Sequence, residues 1–136
     1  MSLEVGFMQG RLSKLVDGKI QAFPEDEWEN EFSIAKNIGI KLMEWTLDYE
    51  NLYRNPLLNV HGQKKIMELS MINSLSIKSL TGDCFMQRPF WKSKEVEEKD
   101  SLEKDFVNVL FACNKIGIKI VVIPLVDNGS IENPKQ

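Results

Sequence analysis

The chain has 136 residues, 43% apolar and 27% charged, with a formal net charge of −3. That length defines one domain, residues 1–136, able to bury a core, and its weak negative charge argues against a nucleic-acid surface, which needs a basic field to neutralise phosphates. No apolar run approaches the roughly 18–20 residues that span a bilayer, and no signal-peptide pattern opens the chain, so a membrane partner is not expected.

In chain order, Glu4-Val5-Gly6-Phe7-Met8 reads as an opening strand, ended by Gln9-Gly10-Arg11. Leu12 to Phe23 holds the Asp17-Gly18 turn signal and is long enough to form a flap over one end of a sheet. Pro24-Glu25-Asp26-Glu27 places proline and acids at a helix start. The stripe Trp28, Phe32, Ala35 and Ile38 follows, and Gly39 is expected as a left-handed C-terminal cap. Lys41 to Thr46 is the second strand. After a loop broken by Asn55-Pro56, a second helix is expected from about Gly62 to Leu75, with Ile66, Leu69, Ile72 and Leu75 as its stripe.

Ile77 to Thr81 is the third strand. A third long helix is expected from Asp100, with Glu103 completing a capping-box-like pair. Its stripe is Leu102, Phe106, Val109, Leu110, Cys113 and Ile116, closed by Gly117. Ile118 to Ile123 is nearly all β-branched, which suits a parallel strand covered on both faces.

The chain repeats itself. Ile38-Gly39-Ile40-Lys41 returns as Ile116-Gly117-Ile118-Lys119, with a weaker copy at Leu75-Ser76-Ile77-Lys78. A repeat of helix, tight turn and strand predicts αβ units. The resulting order, β-α-β-α-β-α-β, implies parallel strands joined by right-handed crossovers. Two α/β architectures fit: an open doubly wound sheet, or half of a truncated (βα)8 barrel, since a whole barrel takes about 250 residues.

Gly6-Phe7-Met8-Gln9-Gly10-Arg11-Leu12, Gln21-Ala22-Phe23-Pro24, Trp28, Glu31-Phe32, Ala35-Lys36, Gly39 and Met43-Glu44-Trp45 together resemble the xylose-isomerase-like TIM-barrel superfamily of sugar-phosphate isomerases and epimerases. Asn55-Pro56-Leu57-Leu58, Gly82-Asp83, Phe85-Met86 and Arg88-Pro89 extend the likeness along the chain, over the first four βα units of the family's eight. The resemblance implies a divalent-metal enzyme that moves a proton next to a sugar carbonyl through an enediolate. It places the metal ligands mainly in the second half of such a barrel, so no metal ligand is assigned here. The chain stops at Gln136, about where a fourth helix is expected, and that chemistry is expected to need the other half.

In parallel αβ architectures, function collects where strands end. Glu44, at the end of the second strand, is the catalytic candidate: it could bind sugar hydroxyls or support a neighbouring metal ligand, or simply cap the barrel mouth. Gln9, Arg11, Trp45 and Asp83 are the substrate-binding candidates. Arg11 offers a fork for phosphate or carboxylate, against a salt bridge or a solvated loop charge, and Trp45 a face for a sugar ring, against loop packing. Asp83 and Asp127 sit beside Gly or Asn-Gly, where Asp commonly stabilises turns. The only histidine, His61, reads as a surface residue, and Cys113 as core. Cys84 and Cys113 form no CxxC and no disulfide framework, which makes a reducing cytoplasm the expected location.

Two functions compete. One is the amino-terminal portion of a cytoplasmic sugar or sugar-phosphate isomerase or epimerase. The other is a stand-alone half-barrel that binds or assembles, expected to be a homo-oligomer because unpaired parallel edges are poorly tolerated. The related abasic-site endonucleases place histidines at early strand ends, where this chain has Glu44 and Asp83.

Overall fold

The computed structural model describes residues 3–19 and 21–136. Four strands, β1 (Gly6–Met8), β2 (Leu42–Thr46), β3 (Ser76–Thr81) and β4 (Ile120–Val122), form one sheet in the order β1-β2-β3-β4. Every adjacent pair is parallel. The connections carry α1 (Trp28–Ile38), α2 (Val60–Asn73), the short α3 (Asp83–Gln87) and the long α4 (Val96–Ile116). The expected parallel α/β alternation is present. Ile20, in the expected flap, lies outside the described residues, as do Met1 and Ser2.

Alternation along each strand sends consecutive side chains to opposite faces. Met43, Trp45 and Leu47 from the second strand and its exit, with Ile77 and Leu80 from β3, join Phe32 and Ala35 of α1, Ile66 of α2 and Val109 of α4 in one core. A register shift between Met43 and Glu44, opposite Lys78, lets both Ile77 and Leu80 reach that core although they are three residues apart. The helices thus cover one face of the sheet.

Gly39 and Gly117 cap α1 and α4 in the left-handed region, at φ 81° and 87°. At both ends the residue after the glycine donates back five positions, Ile40 to Ala35 and Ile118 to Cys113, each at 2.9 Å. The weaker copy obeys the same geometry two residues earlier than its sequence alignment suggests. Ser74, at φ 52°, ends α2, and Leu75 N–H donates to Ser70 at 3.0 Å. Ser74 and not Ser76 is therefore the counterpart of Gly39.

Helix bounds differ from the expected ones for local reasons. α1 begins at Trp28, after turns that use up the Pro24–Glu27 stretch. α2 begins at Val60 because Asn59 Oδ1 accepts from Gly62 N–H at 2.7 Å. Replacing Asn59 by Ala should cost about 1 kcal/mol, measured by urea denaturation. α4 starts at Val96, so Asp100 and Glu103 lie inside the helix and form no capping box.

Three residues expected in core stripes are exposed: Ile38, Ile72 and Leu110. A helix turns 100° per residue, so repeated steps of three drift about 60° each and carry Ile38 and Ile72 off the buried face. Leu110 follows directly on Val109, and the same rotation carries it to the flank. β4 departs more sharply. Val121 packs towards the core, but Ile120 is 58% and Val122 41% exposed, so this strand is covered on one face only.

Candidate functional site

Glu44 projects from β2 onto the sheet face that the helices leave open. Its register partner on β3 is Ser79, and Thr46 is paired with Thr81. Ser79 Oγ donates to Glu44 Oε2 at 2.6 Å, and Thr81 Oγ1 donates to Oε1. Two hydroxyls therefore fix both carboxylate oxygens, while lone pairs remain for further donors. The half-buried Glu44 borders an open cavity of about 320 Å³ lined also by Met8, Leu42 and Ser79.

Gln9, the residue after β1, is fully buried against Thr46. Its side-chain oxygen accepts from Thr46 N–H at 3.1 Å, and its carbonyl accepts from Thr46 Oγ1 at 3.1 Å. The first bond sets the amide's orientation and leaves Nε2 buried without a partner among the described residues. A buried donor in that state is uncommon and costly.

Asp83 follows β3 by two residues and is buried. Gln21 Nε2 donates to its Oδ2. Asp48, two residues past β2, accepts from Phe23 N–H at 2.8 Å and from Gln87 Nε2 at 2.9 Å. The return arm of the flap, Gln21 to Phe23, is thereby held against the carboxyl ends of β2 and β3. Burial raises the Asp83 carboxyl above its ordinary range; the Gln21 bond opposes this, and the charges of Asp48 and Glu44 add to it.

A carboxyl held more protonated when folded contributes stability that is complete below its unfolded pKa, near 3.8, and lost as pH rises through the folded value. Stability should therefore fall with pH in that window. Asp83→Asn should flatten that part of a thermal-melting profile against pH, and an unchanged slope would assign it elsewhere.

The β1–α1 loop is set by a residue that the sequence places only within a motif. Glu31 of α1 is fully buried and accepts from Gly10 N–H at 2.8 and 3.0 Å and from Leu12 N–H at 3.0 Å. Burial raises its carboxyl too, against the pull of those amides. Gly10 sits at φ 92°, and a Cβ there would lie 2.6 Å from the Ala22 carbonyl, so the loop passes directly under the flap.

The sequence-derived candidates divide. Glu44, Gln9 and Asp83 gather at the carboxyl end of the sheet. Arg11 is exposed on the adjoining loop, its side chain in no ion pair among the described residues. Trp45 is 0% exposed and lies on the helix-covered face, where Nε1 donates to Asn55 Oδ1 at 3.2 Å. Its ring stands 5.7 Å from Phe23 and 5.8 Å from Trp28. Trp45 is thus a core residue in this structure and offers no face to a sugar. Adjacent strand residues cannot share a face, so Glu44 in the site puts Trp45 outside it.

Ser79, Thr81, Thr46, Asp48 and Gln21 complete this polar group and lie outside the candidates that strand ends alone point to. Their signal is the alternation of Ser79 and Thr81 along a strand, obscured by the register shift at Lys78. Asp127 lies in a turn whose Asn128 side chain donates to the carbonyls of Met86 and Gln87, both at 3.1 Å. His61 is exposed. Burial pushes the Cys84 thiol up, and that of Cys113 to about 11, which leaves neither as a reactive thiolate.

The fold defines a parallel α/β domain with a polar row at its strand ends. No known protein family and no curated protein matches the chain.

Proposed function

We propose that this chain contributes the carbohydrate-facing strands of a (βα)8-type barrel of the sugar or sugar-phosphate isomerase and epimerase kind. The barrel reading is supported by sequential parallel order with helices on one face; a doubly wound sheet reverses its order and is covered on both. The observation that carries the functional reading is Glu44, oriented by Ser79 and Thr81 on the uncovered face. A carboxylate held in this way accepts hydrogen bonds from a sugar's hydroxyls. Arg11 stands at the rim for the phosphate of a phosphorylated substrate.

Such chemistry implies a divalent metal, for which the described residues offer no ligand set. Among the described residues, no three His, Cys, Asp or Glu side chains come together to hold an ion. We derive no step through a metal. The role left to these residues is to bind and orient the sugar, and catalysis needs further strands from a longer chain or another subunit.

Calorimetric titration with pentoses, hexoses and their phosphates tests this. Binding to at least one, weakened at least tenfold in Glu44→Gln, is expected. Equal affinity in the variant would remove Glu44 from the site.

A further inference from the structure

We propose that residues 21–23 form a strap across the carboxyl end of the sheet, and that the strap opens as a unit while the strands stay folded. Asp48 and Asp83, which hold the strap in this structure, are uncovered when it lifts. The strap's anchors are its own, so the device stands whether or not the ligand is a sugar.

Three residues, each two positions past the end of a strand, take the strap's contacts. Gly10 follows β1, Asp48 follows β2 and Asp83 follows β3. A Cβ on Gly10 would lie 2.6 Å from the Ala22 carbonyl oxygen, so strap and strand end touch there. Asp48 Oδ2 accepts from Phe23 N–H at 2.8 Å, and Asp83 Oδ2 accepts from Gln21 Nε2. The strap therefore reaches the ends of three adjacent parallel strands, at the edge where parallel αβ folds bind their ligands. Asp83 is buried in this arrangement and its Oδ2 is taken by Gln21, a contact that a ligand has to displace.

The strap is held more weakly than the strands it crosses. Between Ser13 and Lys19, the one main-chain group among the described residues that bonds outside the loop is Lys14 N–H, to Glu27 Oε2 at 3.3 Å. Val16 and Lys19 pair only with each other. Phe23 adds its ring, 5.7 Å from Trp45. Opening breaks two hydrogen bonds to carboxylates and one ring contact and leaves every strand ladder intact, which sets its cost below that of global unfolding. The upstream end stays fixed, because Glu31 holds the N–H groups of Gly10 and Leu12 from α1. Burial disfavours the Asp83 carboxylate in the closed arrangement, and access to water on opening relieves it.

Native-state hydrogen exchange across a urea series tests the proposal. Phe23 N–H should exchange about tenfold or more faster than the amides of β2 and β3, with little dependence on urea, while Gly10 and Leu12 keep their protection. Gln21→Ala removes one latch and should speed exchange at Phe23 by a further factor of about ten. Adding Asp83→Ala to that variant should change the Phe23 rate no further, because the two side chains form one bond. Coupling of glycine ethyl ester to Asp48 and Asp83 by a carbodiimide, read by mass spectrometry, should rise in Gln21→Ala. Exchange at Phe23 with the rate and urea dependence of the strands overturns the proposal, since the strap would then open only when the protein unfolds. An unchanged Phe23 rate or unchanged labelling in Gln21→Ala overturns it too.

Discussion

Glu31→Ala should destabilise the protein by about 3 kcal/mol, although Glu31 is far from any expected catalytic role. The substitution leaves the N–H groups of Gly10 and Leu12 without their acceptor, at a cost of roughly 1–3 kcal/mol for each buried one. Part of that is offset, because burial of the carboxylate is itself unfavourable and pushes its protonation up. Glu31→Gln retains one acceptor oxygen and should fall between the variant and the parent. Urea denaturation measures the loss, and faster amide exchange at Gly10 and Leu12 would locate it. A loss below 1 kcal/mol would mean that water replaces the carboxylate.

Trp45→Ala should cost about 3–5 kcal/mol, the range for removing a large aromatic from a packed core. The ring fills space between Phe23 and Trp28, and its N–H is bound by Asn55, whose side-chain oxygen also accepts from Leu57 N–H at 3.0 Å. Trp45→Phe keeps most of the packing and should lose far less. The same pair of variants separates core from binding function: if Trp45 stacked on a sugar, Trp45→Phe would weaken sugar binding at nearly unchanged stability. The structure predicts unchanged affinity.

These residues show what sequence reasoning reaches. The parallel αβ order follows from periodicity, because a helix followed by Gly39 or Gly117 and a β-branched run has few other outcomes. Glu44 was legible as a carboxylate at a strand end. Its partners were not, since a shift of register at Lys78 decides which β3 residues face it. Trp45 follows Glu44 directly, and the alternation of a strand puts it on the opposite, helix-covered face, so packing is the role of the two that the structure shows. Glu31 was hidden for another reason: its acceptors' partners are backbone amides on a loop about 20 residues earlier, and nothing in their identity announces the contact. The same applies to Asp83 and Gln21, joined across 62 positions of the chain.

Exposure of Ile120 and Val122 is the most informative disagreement. Composition called for a strand buried on both faces, and the isolated fold buries one. Composition and structure agree again if the open face meets a second sheet.

The central claim is that the uncovered face around Glu44 receives a sugar. Mapping amide chemical shifts during titration with pentoses, hexoses and their phosphates tests it most directly. The account predicts perturbations at Gln9, Glu44, Thr46, Ser79, Thr81 and Asp83, which disappear in Glu44→Gln. Perturbations confined to the cleft between Val16 and Arg54 on the other side of the flap, or none with any sugar, would contradict it.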